Sequence, residues 1–155
     1  FRYVFLCIRE EEFCCMSENN MAVIQFLGYR LVNIHYNCAP EFEFPEGDVA
    51  YNFNFSKSNM LLSSNDFQEN LEVNVFYSQD GDIANATYKL TVEIAGRFVC
   101  NGEWEAKWET NAIAIMFPYL RSMVSMITSS SGREPIILPT MNVAKLFEKI
   151  DNNDE

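Results

Sequence analysis

The sequence predicts an α+β domain: a four-stranded antiparallel sheet followed by two C-terminal helices packed on one of its faces. Apolar and polar residues alternate at a period of two from Met21 to Asn101. After Asn101 the period changes to steps of three and four, as on a helix face. Strands come first and helices afterwards, with no repeat, low-complexity tract or second domain between them.

Residues 22–37 hold many β-formers, and Gly28 marks an expected bulge or close approach of backbones. The segment 38–48 breaks the alternation with Pro40, Pro45 and Gly47, so it reads as a crossover loop and not a tight hairpin. Its aromatics Phe42 and Phe44 alternate with Glu41, Glu43 and Glu46 and are expected to be exposed. Tyr51, Phe53 and Phe55 alternate with Asn52 and Asn54, a strand with one apolar face. Leu71, Val73, Val75 and Tyr77 repeat the pattern, and Asp80-Gly81 gives a hairpin signal after them. In the last strand Tyr88, Leu90, Val92, Ile94 and Phe98 face one side, and Lys89, Thr91, Glu93 and Arg97 the other.

Ile113, Met116, Leu120, Met123 and Ile127 then form a helical stripe. Pro118 inside it is expected to restart the helix or to kink it. Ser129 to Gly132 ends that helix, and Asn142 is placed to cap a last one in which Val143, Leu146, Phe147 and Ile150 share a face. The domain is read as residues 16–150, followed by an acidic tail, 151–155. Ahead of it, Phe1 to Ile8 is apolar but too short to span a bilayer, and Arg9 and Glu10 to Glu12 follow in the wrong order for a signal peptide. Since Met16-Ser-Glu-Asn-Asn-Met21 looks like an ordinary start, residues 1–15 are expected not to belong to the native protein.

A chain of 155 residues suits one domain with a real core. Its net charge is -11, with no cluster of Lys and Arg, which excludes nucleic acid as a natural partner. That charge suits solubility and the capture of basic partners. Cys7, Cys14, Cys15, Cys38 and Cys100 show no metal-ligand spacing, so no metal is expected, and reduced thiols in the cytoplasm are.

Catalytic constellations are hard to find. There is no nucleophile elbow, no Gly-rich phosphate loop and no zinc-protease motif, and no cofactor is expected. His35, the single histidine, sits in a strand and is read as packed or solvent-facing. Glu103, Glu105 and Glu109 around Trp104 and Trp108 could form a carbohydrate platform; the preferred reading is a charged connection whose tryptophans pack on the sheet edge or a neighbouring subunit. Met116, Met123 and Met126 read as core before they read as an adaptable surface. Binding without turnover does fit, because unfolded polypeptides are captured by apolar surface and backbone edges alone. Candidate contacts are Phe42, Phe44, Tyr51, Phe53, Phe55, Leu146 and Phe147.

The stretch Ile115-Met-Phe-Pro-Tyr-Leu-Arg-Ser122, with Leu138-Pro139 and Asn142 beyond it, resembles the C-terminal half of the protein-export chaperone SecB and its relatives. The Cys38-Ala-Pro40 junction and the Tyr-Asn-Phe-Asn-Phe strand add weaker matches. This resemblance implies an ATP-independent holdase that keeps precursor proteins unfolded for export and hands them to the ATPase SecA. It further implies a homotetramer, a dimer of dimers with edge strands pairing and long helices between dimers. On it, Phe53 and Phe55 fall at client-contacting strand positions, Phe42 and Phe44 lie beside the groove, and Glu93 falls at an acidic partner-docking position. The first strand, however, reads Asn33-Ile-His-Tyr-Asn37, without the acids that help dock SecA in well-known members. Client binding is therefore better supported than SecA docking. The alternatives are a related chaperone dedicated to one partner, such as an antitoxin, and a β-domain that holds a small hydrophobic ligand.

Overall fold

The computed structural model describes residues 23–43, 50–132, 134–142 and Lys145. The expectations for Phe44, Leu146 and Phe147, for residues 1–15 and for the tail 151–155 lie outside the described residues.

Strands β1 (Ile24–Cys38), β2 (Asn52–Leu61), β3 (Asp66–Tyr77) and β4 (Tyr88–Cys100) precede helix α1 (Lys107–Ser130). They form one antiparallel sheet of four strands in the order β1-β4-β3-β2. The chain thus passes from one sheet edge to the other between β1 and β2, as the prolines after Cys38 predict.

On β3, Phe67, Glu69, Leu71, Val73 and Val75 are buried, and each intervening residue from Gln68 to Asn74 is half-buried on the other face. On β4, Tyr88, Leu90, Val92, Ile94 and Phe98 are all at 0% exposure. Two central strands with one covered face produce this alternation, and α1 supplies the cover. Ala112, Ile113, Met116, Phe117, Leu120, Val124 and Thr128 form its buried stripe. A fully buried Leu, Ile or Phe contributes about 1.5–3 kcal/mol, so this stripe alone is enough to dock the helix. The helix is long and apolar enough to cross a membrane, but its apolar stripe is spent on the sheet. At Gly96 the helix comes so near that an added Cβ would lie 2.7 Å from Met116 Sδ.

β1 carries the expected bulge at Gly28 (φ 131°), where the register shifts between Phe26 and Gly28, and a second shift between Leu31 and Asn33. Leu27 and Val32 are the extra residues. Each one resets the phase of the strand, so that Tyr29, Leu31, Ile34 and Tyr36 pair with Gly96, Ile94, Val92 and Leu90.

Two expectations need correcting, whereas β3 and β4 do pair as the antiparallel hairpin that Asp80-Gly81 signals. Their connection is longer than a two-residue turn and includes a 3₁₀ turn, Ile83–Asn85, fixed by bonds from Asp82 and Ala84 backbone N–H groups to the Asp80 and Asp82 carboxylates (3.0 and 2.9 Å). Helix α1 does not restart at Pro118; it runs through the exposed proline to Ser130. Among the described residues there is one α-helix, not two. From Glu134 the chain runs without helix to Asn142, where Pro135 and Pro139 remove amide donors and bias their neighbours to extended backbone. Asn142 Oδ1 accepts the Lys145 N–H at 3.3 Å, the bond of a helix cap, but residues 143, 144 and 146–150 lie outside the described residues.

The extended segment is pinned to α1. Thr128 Oγ1, wholly buried, donates to Val124 O at 2.8 Å and accepts the Ile136 N–H at 2.9 Å, and Ser125 Oγ donates to Ile136 O at 3.1 Å. Ile136 and Leu138 enter the core at this point.

Candidate functional site

β2 is an edge strand beyond the main path of α1, which packs on β1, β3 and β4. Phe53 and Phe55 stand opposite Val75 and Val73, on the helix side of the sheet. With no further strand beside them among the described residues, both are half-buried where their partners are fully buried. Phe55 meets Phe117 of α1 at 6.0 Å between ring centroids. Phe117 also lines a hollow of about 530 Å³ with Pro118, Arg121, Ser125, Thr140 and Met141. The Phe53–Phe55 stripe and this hollow therefore join at Phe117.

At its other end the stripe runs into an aromatic cluster. Tyr88 lies 5.7 Å from Tyr36, 5.8 Å from Tyr51 and 6.3 Å from Phe42, and Phe42 lies 5.5 Å from Tyr77. Phe42 is not exposed as expected. Its N–H bonds Ala39 O at 2.9 Å, and this turn folds the ring back onto Tyr77 and Tyr88. The structure thus brings Phe42, Tyr51, Phe53 and Phe55 onto one apolar strip. Tyr36, Tyr77, Tyr88 and Phe117 complete it, and the sequence did not assign these four to the site. The Tyr77–Tyr88 pairing was the available signal, since both close the alternation of their strands.

The opposite face of the sheet is polar along the middle of β3 and β4, with Phe76 buried beyond that stretch. Glu93 pairs in register with Glu72, two like charges side by side. Asn70 Nδ2 donates to Glu93 at 3.0 Å, and Asn74 Nδ2 to Glu72 at 3.0 Å. Thr91 Oγ1 donates to Asn74 Oδ1 at 2.7 Å, and Arg97 is engaged with Asp66. Glu93 is therefore held on a flat face of amides and carboxylates, away from the aromatic strip.

The acidic residues around the tryptophans do not converge. Glu105 pairs with Lys107 at 2.6 Å, and Glu109 with Lys57 of β2 at 3.0 Å, while Glu103 is exposed. Trp104 packs edge-on to Phe67 at 6.4 Å, and Trp108 lies half-buried against the core under the Lys107 ammonium. His35 is exposed on β1. Met116 is in the core, Met123 at its margin and Met126 exposed. Among the described residues Cys38 and Cys100 are free thiols, and burial raises the Cys100 pKa with a smaller push from Glu105.

One charged group sits where the alternation demands an apolar one. Glu69 lies between Phe67 and Leu71 at 0% exposure, and neither carboxyl oxygen has a hydrogen-bond partner. Burial, and then the nearby Glu109, push its pKa up to about 9, against a smaller opposing effect of Lys57.

Sheet, covering helix and half-covered aromatic strip define a small α+β domain. The chain belongs to the SecB family: the family model described as preprotein translocase subunit SecB matches residues 35–153. The uncharacterized protein MJ0357 of Methanocaldococcus jannaschii is 37% identical over 78 residues, 48% of this chain and 50% of that protein. The chain thus spans about half the length of that curated relative. A solved structure with the same fold is the SecB-like chaperone Rv1957 of Mycobacterium tuberculosis, in complex with a ChAD peptide from the Rv1956 HigA1 antitoxin. Its TM-score is 0.57 at 17% identity, over 76% of this chain and 90% of that one.

Proposed function

We propose that this protein is a chaperone that binds unfolded segments of other polypeptides along the Phe42–Tyr51–Phe53–Phe55 strip and holds them without turnover or nucleotide. The observation that carries this is the position of the strip: half-buried aromatics on an edge strand, continuous through Phe117 with a hollow of about 530 Å³. Such a surface takes alternate side chains of an extended segment, and β2 is an edge strand among the described residues, the kind of backbone edge such a segment pairs with. In this reading Phe44, Leu146 and Phe147 belong to the same site. It works in the cytoplasm as a homotetramer, keeps precursors competent for export, and uses Glu93 on the polar face to dock SecA.

A second reading has its own support. The Rv1957 complex contains a peptide from one antitoxin, and residues 33–37 of β1 bear no acid to aid SecA docking. A chaperone dedicated to a single partner accounts for the strip equally well. Aggregation of a denatured client, followed by light scattering after dilution into nucleotide-free buffer, tests both. Broad suppression at near-stoichiometric amounts supports the general holdase. Suppression of one partner alone supports the dedicated form, and no suppression by the folded protein of any client removes the chaperone reading.

A further inference from the structure

Lys57 follows Phe53 and Phe55 on the helix-facing side of β2, opposite Leu71. Its Nζ lies 3.0 Å from Glu109 Oε1 in the first turn of α1, with side-chain exposures of 14% and 18%. This pair ties the edge strand to the helix. Behind it lies Glu69, wholly buried. The charged groups facing Glu69 among the described residues are Lys57 from β2 and Glu109 from α1, and β4 places Gly96 opposite it. The Lys57 ammonium is engaged by Glu109, while neither oxygen of Glu69 has a hydrogen-bond partner.

We propose that Lys57, Glu109 and Glu69 form a proton-coupled latch, in which parting of β2 from α1 ionises Glu69 and transfers Lys57 to it. While the latch is closed, a second carboxylate beside Glu109 would be buried without a cation of its own, so Glu69 is the neutral acid. Once the elements part, water reaches the carboxyl and its affinity for the proton falls toward that of an ordinary glutamic acid. At neutral pH the proton then leaves to solvent and the carboxylate accepts Lys57. Linkage makes the relation reciprocal: whatever wedges β2 from α1 releases a proton and is favoured as pH rises. A polypeptide entering along Phe53, Phe55 and Phe117 is such a wedge; this last clause rests on the proposed function.

Carbon-13 NMR of the full chain labelled at glutamate carboxyls tests the latch without any client. The signal lost in Glu69→Gln is expected to titrate well above neutral pH, to move down in Glu109→Gln and to move up in Lys57→Met. In a Trp104→Phe background, Trp108 fluorescence reports the first turn of α1. It is expected to change with the same midpoint and to lose that change in Glu69→Gln. A midpoint in the ordinary glutamate range, indifference to both neighbours, or a Trp108 transition that persists in Glu69→Gln overturns the proposal. Calorimetry with reduced, carboxymethylated α-lactalbumin in two buffers of unequal ionisation heat tests the coupling. Wild type is expected to release close to one proton per chain and Glu69→Gln none. Binding with equal heats in both buffers overturns the coupling. Absence of binding removes the groove reading instead, and the latch then stands or falls on the carboxyl titration.

Discussion

A carboxyl between Phe67 and Leu71, on the face that α1 covers, enters the core only as the neutral acid. The sign of its effect on stability follows from its raised pKa. The unfolded chain releases the Glu69 proton near pH 4.5, whereas the folded chain keeps it to about pH 9. The contribution is therefore fully present below pH 4.5 and is lost as pH rises through that window, by up to about 1.4 kcal/mol per pH unit. Urea midpoints recorded from pH 5 to 9 should fall more steeply in wild type than in Glu69→Gln, with Glu69→Gln the more stable at pH 8. Parallel curves would show that Glu69 is ionised in the fold. Phe53 presents the opposite case, a half-buried ring whose partner Val75 already fills the core below it. Phe53→Asp should cost the fold little and weaken client capture by about 2 kcal/mol, roughly thirtyfold, in a peptide-binding titration. Unchanged affinity in that variant would remove β2 from the site.

At the level of elements, α1 and the extended segment behind it are joined through Thr128. Thr128→Val keeps the shape but leaves the buried Ile136 N–H without its 2.9 Å acceptor. A loss of about 1–3 kcal/mol in thermal or urea unfolding is expected, with faster amide exchange at Ile136 as its local signature. The segment itself was legible, since Pro135, Pro139 and the end of the stripe at Ile127 leave little room for anything but extended chain. β3, β4 and α1 were legible for a related reason: each has one buried face, so burial writes a period directly into the residues. β1 was legible only as a run of β-formers. Its bulges at Leu27 and Val32 shift the phase twice, and a strict period of two cannot follow the inward side chains through them. The β3–β4 hairpin was legible from Asp80-Gly81, but the form of its connection was not, because the turn network built from the Asp80 and Asp82 carboxylates is not contained in a dipeptide signal. Half of the aromatic strip was missed for a tertiary reason, because Tyr36, Tyr77, Tyr88 and Phe117 come from four elements that only the sheet order brings together.

For the whole molecule, charge and exposed apolar surface pull in opposite directions. A net charge of -11 repels copies of the chain from one another. Yet β1, an edge strand of 15 residues, leaves Leu27, Leu31, Val32, Ile34 and Tyr36 each at least 40% exposed. Its bulges divide these side chains between the two faces of the sheet, so a covering helix on one side would leave the other still in water. A second strand alongside, with its own helix, covers both and also pairs with the backbone edge that β1 presents among the described residues. That arrangement is the one the proposed tetramer requires. Light scattering should therefore give a mass well above the 17.9 kDa of one chain. Paired Leu31→Lys and Ile34→Lys substitutions place like charges across such an interface and should lower the mass of the particle, with circular dichroism showing the sheet retained. Raising the salt from about 0.05 to 0.5 M shortens the Debye length from roughly 14 to 4 Å and should tighten wild-type assembly by screening its acidic surface. A monomer at every salt concentration would mean that β1 is covered by something other than a second copy.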